Sequence, residues 1–223
     1  MSAATTLAGV VQVVGGVAAA PLIPGIVQRM KARLQGRPGP SPLQPYRELR
    51  RLWRKSRVAP TPRTLVYELA PAVVAGSLLI ALVTLPIGGR SPRWPVGDDA
   101  LVLVGLLALG RFAITLAAWD TAGGFGLMGA SRDLTFSVAV EAVLLLVLVL
   151  VALPSGSTDL LALSAQATRP AVWGEPAHWA AAFAFGLVVL AETGRQPVDN
   201  PDTHLELTMV HEGPLLEYAA HCR

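Results

Sequence analysis

The sequence predicts an all-α integral membrane protein, a bundle of about five transmembrane helices with an amphipathic helix in a cytoplasmic loop. Hydrophobic residues make up 52% of the 223 residues and charged residues only 15%, whereas soluble domains are about a quarter charged. The charges also avoid five apolar stretches, which lie at 7–27, 69–89, 100–119, 134–153 and 178–193. Because an ionised side chain costs several kcal/mol in hydrocarbon, this segregation fits a bilayer and excludes a soluble enzyme.

Most of the apolar stretches have the length that a membrane helix needs. About 20 residues cross the hydrocarbon, and 69–89, 100–119 and 134–153 reach that length. The last stretch, 178–193, is shorter before its acidic residue, so it spans only if Glu192 lies at the membrane surface.

The first stretch, 7–27, is long enough to span but is predicted to be a loose helix, because it contains Pro21, Pro24 and four glycines. The alternative is a cleaved signal peptide. Signal peptides begin with basic residues, and no charged side chain precedes Arg29, so a membrane span is favoured.

The distribution of basic residues predicts the orientation. The loop 28–66 carries 11 of the 18 Lys and Arg residues, and such loops stay in the cytoplasm. The N-terminus is therefore expected outside, and 120–133 and 194–223 inside. Residues 1–223 are predicted to form a single membrane domain in the plasma membrane. The net charge of +3 does not indicate nucleic acid, since the cations cluster beside apolar stretches and suit anionic lipid.

The basic loop contains a predicted amphipathic helix. After the turn GRPGPSP, the residues Tyr46, Leu49, Leu52 and Trp53 recur at steps of three and four, flanked by arginines. Two interpretations stay open: a helix that lies on the membrane, or a docking surface for a cytoplasmic partner in which Glu48 is a specific pairing group.

Two charges are predicted at membrane depth. Arg111 lies about 13 Å from the inner end of its helix at 1.5 Å per residue, and Glu141 lies about 10 Å from the same side in the next helix. We expect them to form an ion pair or to belong to one polar chain through the bundle. Intramembrane ionisable groups favour a proton or ion relay over a static strut.

The loop 120–133 contains Gly123, Gly124 and Gly126, which predict irregular backbone. Ser131 is then expected to cap a helix that begins near Asp133. The alternative is a plain helix–helix turn, which spacing alone does not exclude.

Metal and redox centres are not predicted on this chain. The tail offers His204, Glu206 and His211, but no pair has the i, i+4 spacing of a helical metal site. The single cysteine, Cys222, is insufficient for an iron–sulfur cluster.

Three cytoplasmic segments carry a family resemblance: GRPGPSPLQPYRELRRLWRK at 36–55, GASRD at 129–133 and ETGRQPVDNPDTHLELTMVHEGPLLEY at 192–218. Together they resemble the membrane subunit shared by respiratory complex I, where it is subunit 1, and the energy-converting NiFe hydrogenases. The wording DNPDTHLELTM resembles the hydrogenase branch, as in formate hydrogenlyase subunit 4 and hydrogenase-4 component C. Family members continue with further membrane helices, so the chain is expected to be a C-terminally shortened form or a fragment.

The resemblance implies a helical bundle beneath a hydrophilic hydrogenase or dehydrogenase arm. Glu141 matches a membrane glutamate of the family, and with Arg111 and Glu192 it is the expected ion path. The other matching positions are expected to face a partner or a quinone-like ligand; they are Arg37, Gln44, Arg47, Ser131, Arg132, Asp133, Asp199, Asp202, Glu206, Glu212 and Glu217. Glu48 is expected at the same interface because it lies among the cations of the basic loop.

The predicted function is a membrane-anchoring, ion-path subunit of an energy-converting NiFe hydrogenase or a formate hydrogenlyase-like complex. It would couple redox chemistry in the soluble arm to proton or cation movement. The expected partners are the large and iron–sulfur subunits, which carry the NiFe centre and Fe–S clusters, and antiporter-like membrane subunits. The alternatives are a quinone-site subunit of a complex I-type NADH dehydrogenase and a stand-alone transporter or channel, although internal repeats typical of transporters are not evident.

Overall fold

The computed structural model of the protein describes residues 3–54, 64–86, 98–121 and 123–193. Within these ranges the chain is almost entirely helical, and the β interaction found there is an isolated bridge between Asp99 and Asp159. The helices are α1 Ala3–Ala19, α2 Leu22–Leu34, α3 Gln44–Leu52, α4 Leu65–Thr84, α5 Ala100–Asp120, α6 Gly124–Ala152, α7 Leu160–Ala167, α8 Pro170–Trp173 and α9 Pro176–Glu192. The described residues fall into two compact units, α1 to α3 and α4 to α9.

The helices confirm the predicted all-α membrane class. Four apolar helical stretches are long enough to cross a bilayer, and they are Gly9–Leu34, Leu65–Thr84, Ala100–Asp120 and Gly126–Ala152. The fifth predicted span corresponds to α9, which has 17 residues and a length of about 26 Å. That is slightly less than the roughly 30 Å of hydrocarbon in a typical bilayer, so the described part of the chain has four full-length candidates and one short apolar helix.

In the first unit, the predicted span 7–27 is divided between α1 and α2 by a turn at Ala20 and Pro21. Proline lacks the amide hydrogen that would continue the helix, so the chain restarts there. The second helix then continues to Leu34, so the first basic residues of the loop are helical. Gly36, with φ of 70°, follows its end, and this positive φ suits glycine.

The predicted amphipathic helix is confirmed as α3, which begins two residues before Tyr46. It packs near α2 because the intervening turn comes very close to that helix. A Cβ atom on Gly25 would lie 2.1 Å from the carbonyl oxygen of Pro42, so this position requires glycine. The Tyr46 hydroxyl donates a hydrogen bond to the carbonyl oxygen of Ala18 in α1.

The second unit is built around the α4–α5 pair, whose contact consists of small residues and one aromatic ring. Tyr67, Ala70, Ala113 and Ala117 form its buried core. Gly110 extends this contact, since a Cβ atom there would lie 2.9 Å from the Ser77 hydroxyl oxygen. Small side chains let membrane helices approach closely, and dispersion forces then stabilise the pair.

The prediction of an irregular loop up to residue 133 is wrong, because α6 begins at Gly124 and is 29 residues long. Gly126 and Ala130 are buried, so the packing of these first turns offsets the cost of glycine in a helix, about 1 kcal/mol. Ser131 therefore does not cap a helix. Its hydroxyl donates to the carbonyl oxygen of Met128 at 2.9 Å inside α6.

Two aspartates cap the helices that begin on either side of the isolated bridge. Asp99 accepts a hydrogen bond from the amide of Leu101 at 2.9 Å, at the start of α5. Asp159 accepts from the amide of Leu161 at 2.7 Å, at the start of α7. The bridge itself, closed by backbone hydrogen bonds between the two segments, ties the segment before α5 to the segment after α6.

Candidate functional site

Arg111, in the middle of α5, is the centre of a polar cluster inside the second unit. Its Nη1 donates to Glu192 Oε1 at 2.9 Å and to the Ser137 hydroxyl oxygen at 2.9 Å. Its Nη2 donates to the backbone carbonyl oxygen of Glu192 at 3.4 Å, and its Nε lies 3.9 Å from Asp133 Oδ2. We call Arg111, Asp133, Ser137 and Glu192 the Arg111 cluster.

The cluster forms because three helices each bring polar atoms to one point. Asp133 and Ser137 are four residues apart in α6, so they lie on the same side of that helix. Glu192 is the last residue of α9, where the backbone carbonyl groups have no partner within the helix. The guanidinium of Arg111 has five N–H donors in a fixed fork, which suits several acceptors at once.

The members of the Arg111 cluster are largely shielded from solvent. The side chains of Asp133 and Arg111 are 9% and 18% exposed, and that of Glu192 is 34% exposed. Ser137 is 3% exposed. A single unpaired charge in such an apolar bundle would have a high desolvation cost. The pairing of these side chains with one another offsets that cost.

Two cavities meet at the Arg111–Glu192 pair. The first, of about 300 Å³, is lined by Asp133 together with both members of the pair. The second, of about 450 Å³, is mostly apolar and is lined by Glu141 together with the same two residues. The pair therefore lies at the boundary between a space reached by Asp133 and a space reached by Glu141.

One form of the prediction was an ion pair between Arg111 and Glu141. The structure instead pairs Arg111 with Glu192. Arg111 contacts Ser137, one helical turn before Glu141 in α6. The sequence-based depths of Arg111 and Glu141 start from the predicted ends of the loop 120–133, whereas α6 begins at Gly124. The packed register of α5 and α6 therefore differs from the predicted one by about one helical turn. The other form of the prediction is a polar chain through the bundle. It stays a prediction, and the cavity that Arg111, Glu141 and Glu192 line together supports it.

The comparisons with known proteins agree with this architecture. A family profile described as NADH dehydrogenase matches residues 6–222, which is nearly the whole chain. The chain belongs to the NADH dehydrogenase family. The family match includes the Arg111 cluster, Glu141 and the acidic tail.

Among curated members of the NADH dehydrogenase family, the chain is 36% identical to hydrogenase-4 component C of Escherichia coli strain K12, over 89% of this chain and 62% of that protein. It is 33% identical to formate hydrogenlyase subunit 4 of the same organism, over 91% of this chain and 65% of that protein. It is 30% identical to an NADH-quinone oxidoreductase subunit of Rhodospirillum rubrum, over 80% of this chain and 52% of that protein. The chain thus spans less than two thirds of the length of each relative.

The fold is also found in a solved structure. A chain in the structure of the membrane-bound sulfane sulfur reductase, an archaeal respiratory membrane complex, superimposes with a TM-score of 0.78 at 22% identity. The match covers 96% of this chain and 73% of that one. This likeness shows that the two chains share a fold.

The residues predicted at a partner interface lie in several places. In the first unit, Gln44 Nε2 donates to Glu48 Oε1 at 3.2 Å, and Glu48 pairs with Arg51 at 2.7 Å. Arg37 and Arg47 are exposed in the same unit. The Glu48 carboxylate therefore has partners on its own helix.

In the second unit, Ser131 is exposed and Arg132 is half-buried on α6, whereas Asp133 belongs to the Arg111 cluster. The remaining predicted positions lie outside the described residues; they are Asp199, Asp202, Glu206, Glu212 and Glu217. The histidines considered for metal, His204 and His211, lie there as well. Within the described ranges, no group of three or more His, Cys, Asp or Glu is placed to hold a metal ion.

The structure gives structural roles to two residues that the sequence analysis did not single out. Ser137 lies midway between Asp133 and Glu141 at four-residue steps, a pattern that the sequence displays. Asp120, at the end of α5, accepts hydrogen bonds from the amide and hydroxyl of Thr64, both at 2.7 Å, and from the amide of Tyr67 at 3.3 Å. It thus caps the neighbouring helix α4, which no local pattern indicates.

Proposed function

We propose that this chain is a membrane-anchoring, ion-path subunit of an energy-converting NiFe hydrogenase or formate hydrogenlyase-like complex. It couples redox chemistry in a soluble arm to proton or cation movement. The observation that carries the proposal is the Arg111 cluster with Glu141 beside it, inside a bundle of apolar helices.

The charges of the site support an ion path over a static strut. Among the residues that the structure describes, three carboxyl groups, those of Asp133, Glu141 and Glu192, lie around the guanidinium of Arg111. A strut needs one carboxylate for one guanidinium, and every further carboxylate adds repulsion and desolvation cost. Binding a proton or another cation relieves that excess, so the site is suited to transient cation binding. Intramembrane ionisable groups commonly mark such pathways.

The hydrogenase branch is supported by the relatives named hydrogenase-4 component C and formate hydrogenlyase subunit 4, at 36% and 33% identity. In this proposal the NiFe centre and iron–sulfur clusters belong to partner subunits. The single cysteine of the chain is consistent with that division.

The partners in this proposal are the large and iron–sulfur subunits of the soluble arm, antiporter-like membrane subunits and the lipid of the plasma membrane. The basic face of α3, with Arg47, Arg50 and Arg51, is a surface for anionic lipid or for the soluble arm. Arg37, Gln44 and the acidic tail would complete this cytoplasmic side. The concentration of basic residues in 28–66 supports a cytoplasmic loop and an N-terminus outside.

The test uses the complex purified in detergent and reconstituted in vesicles. Glu141→Gln removes a charge without changing shape, so we expect ion uptake per electron to fall by about tenfold or more while electron transfer is largely retained. Mass spectrometry should identify hydrogenase subunits, and nickel should co-purify. Unchanged uptake in the variant would contradict the ion path, and recovery of the chain without a metalloprotein would contradict the assignment to a complex.

A quinone-site subunit of a complex I-type NADH dehydrogenase is the second candidate. It is supported by the 30% identity to the NADH-quinone oxidoreductase relative and by the mostly apolar cavity beside Glu141. A photoreactive quinone analogue that crosslinks to the chain, with no nickel in the complex, would favour it over the hydrogenase branch.

A further inference from the structure

Ser137 differs from the other buried hydroxyl residues in the described helices. In this part of the chain, helical Ser and Thr side chains donate to a carbonyl oxygen of the preceding turn: Ser77 to Val74, Thr84 to Ala81 and Thr115 to Arg111. The Ser137 oxygen instead accepts from Arg111 Nη1 at 2.9 Å. Its own proton is therefore not committed to the backbone of α6.

We propose that Ser137 is a proton-relay residue that connects Asp133 with Glu141 along one side of α6. The inference rests on the proposed function. It specifies that the ion is a proton and that the proton passes the Arg111–Glu192 pair by way of Ser137. Ser137 is 3% exposed, and a buried hydroxyl whose hydrogen bond is unmade costs about 1–3 kcal/mol. The Ser137 hydroxyl can therefore donate its hydrogen bond to an acceptor other than the backbone of α6.

The positions of the three side chains fit a relay. Asp133 lines the cavity of about 300 Å³, and Glu141 lines the cavity of about 450 Å³. Ser137 stands one turn from each. Side chains four residues apart in a helix have Cβ atoms about 5–6 Å apart, a gap that one hydrogen-bonded water bridges. The hydroxyl thus stands between the two carboxyl groups on α6 and is hydrogen-bonded to Arg111, which lines both cavities.

The chemistry of the relay balances without any other reactant than water. A serine hydroxyl has one donor and two acceptor lone pairs. Arg111 occupies one lone pair, and the other accepts a proton that originates on the Asp133 carboxyl group through a bridging water. In the same step the original Ser137 proton passes, through a second water, to the Glu141 carboxylate. One proton has moved from Asp133 to Glu141, and rotation of the hydroxyl restores the start.

The test measures proton uptake per electron in vesicles that contain the reconstituted complex. Ser137→Ala removes the relay hydroxyl, and we expect uptake to fall by about tenfold with electron transfer largely retained. Thr84→Val is the matched control, because Thr84 is also 3% exposed and its hydroxyl already donates to Ala81 at 2.8 Å. This control should leave uptake unchanged.

Rescue separates a relay from a packing role. Ser137→Thr keeps the hydroxyl and should retain most of the uptake, provided that the complex assembles; if it does not assemble, the comparison of Ser137→Ala with Thr84→Val decides. Normal uptake in Ser137→Ala would overturn the relay, and so would equal losses in assembled Ser137→Ala and Ser137→Thr. If Glu141→Gln stops uptake while Ser137→Ala does not, only the relay fails. If Glu141→Gln has no effect, the proposed function fails as well.

Discussion

Arg111 shows why a guanidinium rather than an ammonium occupies the centre of the site. Its Nη1 contacts acceptors on α6 and α9, while its Nη2 reaches the carbonyl oxygen that ends α9. A lysine ammonium is a point charge with no planar fork, so it would not span these acceptors with the same geometry. The one side chain therefore joins three helices.

Removing that side chain should destabilise the second unit. Arg111→Gln removes the guanidinium that pairs with Glu192, and breaking a buried pair in this way costs about 3 kcal/mol. The expected result is a lower unfolding temperature for the purified complex in detergent. Arg169→Gln removes a cation from an exposed position in the same unit and should leave that temperature unchanged. Equal stability of the two variants would contradict the structural role of the Arg111 cluster.

The α4–α5 pair shows how helix packing sets the position of Arg111. Gly110 immediately precedes Arg111, and its contact with Ser77 fixes the rotation of α5 against α4. Asp120 holds the end of the pair where α5 finishes and α4 begins, by capping α4 at Thr64 and Tyr67. The pair is thus fixed at its middle and at one end, which limits the movement of Arg111 away from its partners.

A side chain on Gly110 should push these helices apart. Gly110→Val places a Cβ atom 2.9 Å from the Ser77 oxygen, and overpacking of this kind costs about 1–3 kcal/mol. Gly105→Val is the matched control on the same helix, because no atom lies within 4 Å of its Cβ position. Thermal unfolding of both variants checks the prediction, and an equally large loss in Gly105→Val would show that helix propensity, not packing, is responsible.

The orientation of the chain in the membrane is predicted from its basic loop, and labelling of introduced cysteines measures it. In a Cys222→Ser background, Gln35→Cys should react with a membrane-impermeant maleimide only in inverted vesicles. Thr168→Cys lies in the segment 154–177, which the same prediction places outside, so it should react only in right-side-out vesicles. Both positions are exposed. Labelling of Gln35→Cys from the outside would contradict the predicted orientation and the proposed cytoplasmic partner.

Much of the architecture was predictable because a bilayer imposes a simple rule. Apolar length and the exclusion of charge identified four membrane-length helices, and the three- and four-residue spacing after Tyr46 identified α3. The start of α6 was not predictable in this way, since Gly123, Gly124 and Gly126 suggest a loop by their intrinsic preference. The burial of Gly126 and Ala130 against neighbouring helices outweighs that preference, and no local pattern reports such packing.

The sequence by itself determined that Arg111, Glu141 and Glu192 are the three charges of the apolar stretches, because hydrocarbon penalises every other ionised side chain there. Only the tertiary structure decided that Arg111 pairs with Glu192 and reaches Asp133 and Ser137. The pairing depends on the rotation and register of α5, α6 and α9, which close contacts such as that of Gly110 with Ser77 set. The sequence separation of residues on different helices does not determine which of them are in contact. Those contacts are set only when the helices pack.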